Sequence, residues 1–187
     1  MKVLLVPVLL ACAATQATAQ GNPYFKTPVE INGTGCSPSD ITVTGENSAT
    51  MTIMFSKYDA GNQKPSVSGI GRTSCNFAVP VHVPSGYQVS LLTADWMGFA
   101  EGETEFSRRY FFAGQPVPPV TVKPVSGRGF TYTDSRLYGS YRKCGGGDLQ
   151  LRINSWIWAK GKPSYIAVDT LDLNNRMILK LNWQKCQ

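Results

Sequence analysis

Two tryptophans spaced two residues apart, Trp156 and Trp158, are the residues whose type and spacing best suit ligand recognition. They share one strand parity with two hydrogen-bonding side chains, Arg152 and Asn154. Successive side chains of a strand point to opposite faces, so all four are predicted on one face, with the rings about 7 Å apart. Flat rings beside polar groups suit stacking on sugar rings or contact with a hydrophobic partner. The alternative is that a loop, such as residues 116–124, covers them.

Residue sets for catalysis are sparse in this sequence. His82 is the only histidine, no G-x-S-x-G sequence accompanies it, and a surface histidine is the favoured interpretation. Copper and zinc sites usually take two or more imidazoles. The glycines at 145–147 lead into a predicted strand, whereas a phosphate-binding turn leads into a helix. The sequence therefore predicts no catalytic residue and no cofactor.

Four acidic residues are weak candidates for a metal site or for hydrolysis by paired carboxylates. Glu101, Glu103 and Glu105 share one parity, and Asp95 lies nearby in the sequence. Crowded carboxylates can recruit a cation such as Ca²⁺, but the sequence has no Asp-x-Asp-x-Asp-Gly loop. A solvated acidic turn around Gly102 is favoured, so no metal is predicted. A hydrolase using Asp95 with Glu101 or Glu105 stays open, and it requires carboxylates roughly 5–10 Å apart.

The element that must position the tryptophans is a strand predicted at residues 149–160. Its other parity is aliphatic and predicts a core face, with Leu149, Leu151, Ile153, Ile157 and Ala159. Short runs of β-type residues separated by Gly, Pro, Asn and Asp fill the rest of the chain, and the last two are predicted strands at 165–173 and 176–183. We therefore expect an all-β fold, a single-domain antiparallel β-sandwich of two sheets, jelly-roll or immunoglobulin-like, stapled by two disulfides.

Two further strand assignments depend on prolines and on a bend. Residues 75–83 alternate as a strand, and Pro80 and Pro84 on its polar parity predict an edge strand or a bulge. Residues 87–95 form another predicted strand, which residues 96–101 continue after a bend. Four prolines between residues 116 and 124 predict an edge strand or an extended crossover.

The start of the chain predicts export. Residues 1–19 combine Lys2, an apolar run and the small-x-small sequence Ala17-Thr18-Ala19, the pattern of a cleaved secretory signal. The run is too short to span a bilayer, and no later segment approaches about 20 apolar residues. An extended N-terminal segment is predicted at 20–35 and the sandwich domain at 36–187. The expected location is therefore secreted and extracellular.

The cysteines predict a disulfide framework. Cys12 leaves with the signal, and the four that remain in an exported chain allow three connectivities. We favour Cys36–Cys75 and Cys144–Cys186, each closing a loop of roughly 40 residues. The sequon at Asn32-Gly33-Thr34 predicts glycosylation of Asn32 in a host with the machinery.

The charge of the chain narrows the class of partner. The formal net charge is +6, but Lys and Arg are spread along the sequence and form no run. A nucleic-acid-binding protein would show a basic stripe interleaved with stacking aromatics. Nucleic acid is therefore not a predicted partner. Taken with the predicted export and the two outward tryptophans, the predicted partner is a glycan or an extracellular protein surface, and no membrane span is predicted. The sequence does not specify an oligomeric state.

Several segments together resemble one family. They are G-T-G-C at 33–36, S-C-N-F at 74–77, S-G-Y-Q-V-S at 85–90, T-A-D-W-M-G-F-A at 93–100, the strand after Cys144, and N-W-Q-K-C at 182–186. The set is similar to the small secreted fungal and bacterial proteins catalogued as domain of unknown function 4360. The resemblance implies an exported, disulfide-bonded β-sandwich and supplies no catalytic residues. Polar residues are usual at the outward positions of this strand in that family, so Trp156 and Trp158 would be a departure.

The leading functional hypothesis is a secreted, non-catalytic protein that binds a cell-wall or surface glycan, or a host protein, through Arg152, Asn154, Trp156 and Trp158. Two alternatives remain. One is the carbohydrate-active hydrolase built on acidic residues. The other is a secreted effector or defence-type protein whose surface a host receptor recognises.

Overall fold

A computed structural model describes residues 21–61, 71–125, 127–135, 144–160, 163–168 and 176–186. The predicted signal at 1–19 and residues 169–173 of a predicted strand lie outside these ranges. One turn of 3-10 helix occupies Pro38–Asp40. The strands are β1 Tyr24–Phe25, β2 Glu30–Asn32, β3 Ile41–Thr44, β4 Thr50–Phe55, β5 Asp59–Gly61, β6 Arg72–Val83, β7 Tyr87–Glu101, β8 Thr104–Phe112, β9 Thr121–Val125, β10 Phe130–Ser135, β11 Gly147–Ala159, β12 Tyr165–Ala167 and β13 Arg176–Lys185.

Two antiparallel sheets form the fold, which confirms the predicted sandwich. The front sheet has the strand order β1, β6, β11, β8, β9, and β2 also pairs with β6. The back sheet has the order β3, β4, β13, β7, β12, β5, and β10 also pairs with β7. The strand that carries the tryptophans, β11, therefore lies in the interior of the front sheet, between β6 and β8.

The core between the sheets is rich in aromatic rings. Phe77 and Phe106 on the front sheet meet Phe55 and Trp96 on the back sheet, and all four are buried. The Trp96 ring stacks on Phe55 at 6.1 Å and contacts Phe106 edge-on at 5.0 Å between centroids. Burying one large apolar side chain stabilises a fold by about 1.5–3 kcal/mol. These contacts hold the two sheets together.

The prediction of an edge strand or bulge around Pro80 is wrong. The strand β6 is interior, since it pairs with β11 on one side and with β1 and β2 on the other. The Pro80 carbonyl accepts a hydrogen bond from Lys26 N at 2.8 Å, at the gap between β1 and β2. Because the backbone of Pro80 faces that gap, the missing N–H of the proline breaks no hydrogen bond between strands. Residues 21–35 of the predicted N-terminal segment thus supply two strands that pair along β6.

The strand β7 is continuous where the sequence predicts a bend after residue 95. Its register against β13 shifts so that Leu92 has no partner there between Leu91 and Thr93. The buried parity changes at this bulge, from Leu91 to Ala94. One extra residue in a strand moves every later side chain to the other face. The irregularity is therefore a bulge at Leu92.

The chain crosses from the back sheet to the front sheet at Gly102, between β7 and β8. This glycine has φ of +75°, and a Cβ there would lie 2.3 Å from the carbonyl oxygen of Pro163. Both the conformation and the space exclude other residues. The crossing separates Glu101 from Glu105 onto different sheets.

Both predicted disulfides are formed. Cys36 pairs with Cys75 at 5.6 Å between Cα atoms, and Cys144 pairs with Cys186 at 5.8 Å. Because β13 belongs to the back sheet and β11 to the front sheet, the second bridge joins the two sheets. Within the described ranges, no helix is long and apolar enough to cross a bilayer.

Candidate functional site

The alternation of β11 is the reason that the four predicted binding residues share one face. Leu151, Ile153 and Ile157 are buried in the core, so the intervening side chains face outward. The predicted group is therefore brought together on the outer side of the front sheet. Its members are Arg152, Asn154, Trp156 and Trp158.

Cross-strand register adds residues from β6 and β8 to this group. Three adjacent rows of side chains cross the sheet, each with a residue of β11 in the middle. We call this surface, with Arg152 and Lys160, the front face. Its rows are Arg72, Trp158 and Glu105; Ser74, Trp156 and Ser107; and Asn76, Asn154 and Arg109.

Trp158 is the exposed aromatic of the front face. Its relative exposure is 40%, and no segment among the described residues forms a lid over it. The Arg72 guanidinium lies 5.7 Å and Lys160 Nζ lies 4.8 Å from the ring centroid. Lys160 Nζ also donates to Glu105 Oε2 at 2.5 Å. The indole thus stands in solvent between two cations, one of which a carboxylate already neutralises.

Trp156 is half-buried, and a side chain rather than a loop shields it. The Arg109 guanidinium carbon lies 5.5 Å from the ring centroid. Residues 121–124 of the segment proposed as a cover belong to the edge strand β9, which pairs with β8. That strand lies beside the front face and not above it. Arg109 Nε is buried and has no acceptor among the described residues, so a donor of this face is left unpaired.

Asn32 lies on an outward position of β2 and extends one row of the front face. It is opposite Asn76 of β6, which is opposite Asn154 of β11. Asn32 and Thr34 of the sequon are both exposed. A Cβ on the intervening Gly33 would lie 2.1 Å from the Ser74 carbonyl oxygen, so the chain passes close to β6 here. Glycosylation of Asn32 stays a prediction.

The acidic candidates do not assemble the predicted carboxylate pair with Asp95, and Glu103 lies beside Gly102 in the turn between β7 and β8. Asp95 and Glu101 lie on β7 of the back sheet, six residues apart and therefore ~20 Å apart along the strand. Asp95 and Glu105 face outward on opposite sheets, and Glu105 is paired with Lys160. A glycosidase pair needs a separation of roughly 5–10 Å. Within the described ranges, no three His, Cys, Asp or Glu side chains are placed to hold a metal ion.

His82 belongs to an exposed charged cluster near one end of the front sheet. Its Nδ1 lies 2.9 Å from Asp148 Oδ1, and Lys26 Nζ donates to Asp148 Oδ2 at 2.6 Å. The hydrogen bond from Lys26, followed by the contact with His82, lowers the pKa of Asp148 below its usual value. The same bond raises the pKa of Lys26. No hydroxyl side chain among the described residues hydrogen-bonds to His82.

A separate pocket of about 400 Å³ opens near the Cys144–Cys186 bridge. Its lining includes Val83, Tyr87, Gln115 and Leu149. Val83 is a buried core residue, and no residue of the front face contributes to the lining. The pocket and the tryptophan pair are therefore separate features.

The arginine pair at 108–109 divides between two environments. Arg109 faces outward on the front face, whereas Arg108 is buried and pairs with Asp134 of the back sheet. Sequence reasoning missed Arg72, Ser74, Ser107 and Arg109 as neighbours of the tryptophans. The parity of β8 carried part of the signal, since Ser107 and Arg109 lie on the parity opposite to the core aromatics of that strand.

Comparison with known proteins places the chain in a family. Residues 27–186 match the sequence profile described as "Domain of unknown function (DUF4360)". The chain belongs to this family. An uncharacterized secreted protein of Arthroderma benhamiae is 23% identical over 171 residues, covering 84% of this chain and 70% of that protein.

Two solved structures are similar to this DUF4360 chain in outline. TmCBM61 in complex with β-1,4-galactotriose has 9% sequence identity and a TM-score of 0.38, covering 86% of this chain and 90% of that one. The enzymatically active domain of tailspike protein 4 of bacteriophage CBA120 has 12% identity and a TM-score of 0.26. That match covers 84% of this chain and 19% of the tailspike chain.

Proposed function

We propose that this chain is a secreted, non-catalytic protein that binds a cell-wall or surface glycan through the front face. The observation that carries the proposal is the 40% exposure of Trp158 beside the half-buried Trp156. An exposed aromatic surface costs free energy in water unless a ligand covers it. The C–H face of a sugar ring suits an indole, and its hydroxyls suit the Asn and Ser side chains of the same rows.

Export is the second part of the proposal. Two disulfides formed in the fold are typical of an oxidising compartment. Residues 1–19 carry the pattern of a secretory signal, and the Arthroderma benhamiae relative is described as a secreted protein. A cell wall or a cell surface is the glycan-rich structure that such a protein meets first.

A glycan array with wild-type protein and the double variant Trp156→Ala/Trp158→Ala tests the proposal. We expect the double variant to lose at least about tenfold in affinity for the glycans that the wild type binds, as removal of two contact aromatics implies. Leu92→Ala is the matched control, because it removes an exposed apolar side chain from the back sheet. Circular dichroism and thermal unfolding establish that all variants are folded. Equal binding by a folded double variant would contradict the proposal.

A protein partner is the second candidate, favoured by the arginines that flank the tryptophans. Trp and Arg are the residues that most often dominate the binding energy of protein interfaces, and here they are adjacent. This candidate includes the effector whose surface a receptor recognises. It predicts no glycan binding and capture of an extracellular protein that depends on both tryptophans. A hydrolase using Asp95 with Glu101 or Glu105 is not supported by the separation of Asp95 from either glutamate.

A further inference from the structure

The charges around the two tryptophans narrow the class of glycan, an inference that rests on the proposed function. Arg72, Arg109 and Arg152 all lie on the front face. Among the described residues, none of the three forms an ion pair with a carboxylate. The carboxylate of Glu105 is held by Lys160. The front face therefore carries an excess of positive charge.

Other carboxylates on the outer side of the sheet do not cancel this excess. Glu30 lies on β2, two strands away from Arg152. Asp148 lies four residues before Arg152 on β11 and is already bound by Lys26 and His82. Among the residues that the structure describes, the guanidinium groups next to the rings thus have no local counter-charge, and Arg109 Nε has no acceptor.

The cations also lie where a sugar would stack. The Arg72 guanidinium lies 5.7 Å from the Trp158 ring centroid, and that of Arg109 lies 5.5 Å from the Trp156 ring centroid. A neutral sugar that stacked on either indole would displace a guanidinium or desolvate it without any compensating charge. A sugar bearing an oxyanion would pair with the guanidinium and still present its C–H face to the ring. Arginine is suited to this role because its planar fork matches carboxylate and sulfate groups.

We propose that the ligand of the front face is an acidic polysaccharide, whose sugars carry carboxylate or sulfate groups. The spacing of strands and residues in the sheet sets the length of polysaccharide that would reach all three arginines. Arg72 and Arg109 are two strands and two rows apart, so their Cα atoms are separated by ~16 Å. The line between them crosses the sheet diagonally at Trp156 and begins beside Trp158. Arg152 lies ~8 Å from Arg109, one row further along the middle strand β11. A polymer that follows this diagonal contacts the front face through several sugars at once, whereas a single acidic sugar cannot reach all three cations.

Affinity electrophoresis and calorimetry with three probes test this assignment. The probes are polygalacturonate, its carboxyl-reduced neutral form, and a sulfated derivative of that neutral form. We expect the wild type to bind at least one acidic probe about tenfold more tightly than the neutral form. The comparison between polygalacturonate and the sulfated derivative shows whether carboxylate or sulfate is preferred. Binding should weaken as salt rises from about 0.05 to 0.5 M, because charge pairs at the surface are screened.

Charge variants identify which cations act. Arg72→Gln and Arg109→Gln should each weaken binding of the acidic probe about fivefold to tenfold, since hydrogen bonds to charged groups are the stronger ones. Lys180→Gln is the matched control, because it removes an equal charge from an exposed position on the back sheet, and it should leave affinity unchanged. If Lys180→Gln weakens binding equally, the attraction is non-specific and the assignment is wrong.

The outcomes separate the two proposals. If the neutral form binds as well as the acidic probes and binding depends on Trp156 and Trp158, the acidic class is overturned and glycan binding stands. If no probe or arrayed glycan binds in a tryptophan-dependent manner, both proposals fail. Preferential binding of an acidic probe that requires the tryptophans and Arg109 supports both.

Discussion

Arg108 and Asp134 join the two sheets through a buried ion pair. Arg108 Nη2 donates to Asp134 Oδ1 at 2.7 Å, and its Nε also contacts this carboxylate. The Arg108 side chain is 1% exposed and that of Asp134 is 11% exposed. The guanidinium lies between the Phe106 and Tyr132 rings, 4.8 Å and 5.1 Å from their centroids. A charge so placed depends on its partner, because water is not available to replace it.

Asp134→Ala should therefore lower the free energy of unfolding by about 3–5 kcal/mol, the usual cost of leaving a buried charge without its partner. Urea unfolding followed by circular dichroism measures this loss. The double variant Arg108→Met/Asp134→Leu should be less destabilised than the single variant, since it removes both charges. A single variant within about 1 kcal/mol of wild type would show that water reaches the arginine.

Because of two buried tyrosines, the free energy of unfolding should fall as the pH rises into the alkaline range. Burial raises the pKa of Tyr58 and of Tyr110 above the ordinary value of 10, and for Tyr110 the neighbouring Asp134 raises it further. A raised pKa in the folded state means that the folded protein holds these protons more tightly than the unfolded chain does. The stabilisation is complete below pH 10 and is lost as pH rises above that value.

Urea unfolding at pH 8 and at pH 11 should show this loss of stability, and absorbance near 295 nm should show tyrosines that ionise only on unfolding. Tyr58→Phe and Tyr110→Phe should each reduce the difference between the two pH values. The Tyr58 hydroxyl is also hydrogen-bonded to Ser155 Oγ at 2.9 Å, so Tyr58→Phe loses stability at every pH. The informative quantity is therefore the difference in its stability between pH 8 and pH 11. Equal pH dependence in both variants and wild type would assign the effect to other groups.

Fluorescence can measure the exposure of the tryptophans directly. Trp158 is 40% exposed and Trp96 is fully buried. Trp158→Phe should therefore remove the emission component that is most red-shifted and most accessible to acrylamide, with less than about 0.5 kcal/mol change in stability, as at an ordinary surface site. Trp96→Phe should remove a blue-shifted, protected component. If quenching is unaffected by Trp158→Phe, that ring is covered in solution.

The two disulfides should differ in their accessibility to reductant. Cys36 and Cys75 are buried, whereas Cys144 is exposed. Because exchange requires access of an attacking thiolate, mild reductant should open Cys144–Cys186 first. Differential alkylation with peptide mapping identifies the order. The variant Cys144→Ser/Cys186→Ser should lose about 2–5 kcal/mol of stability, and Cys36–Cys75 should open only with global unfolding.

The sequence predicted the grouping of Arg152, Asn154, Trp156 and Trp158 because alternation within one strand is a local property. It did not predict that Arg72 and Arg109 lie beside the rings. Their positions depend on the register between strands that are distant in sequence, and packing of the whole sandwich sets that register.

Two other differences between prediction and structure also depend on neighbouring strands. At Pro80 the sequence reveals a missing N–H, but it does not show toward which neighbour the backbone faces. At Leu92 the sequence shows irregular alternation and not the partner strand against which the bulge forms. The inward position of Arg108 was accessible from the sequence, because it shares its parity with Phe106 and Tyr110.

The row that links Asn32 to Asn76 and Asn154 has a consequence for how the protein is produced. An N-linked oligosaccharide on Asn32 would project from the same side of the sheet as Trp156, two strands away. Material made in a glycosylating host would then carry a flexible, bulky chain next to the tryptophans, and material made in bacteria would not. The choice of expression host, and Asn32→Gln as its control, would decide whether an assay sees the bare surface or one partly occupied by the protein's own modification.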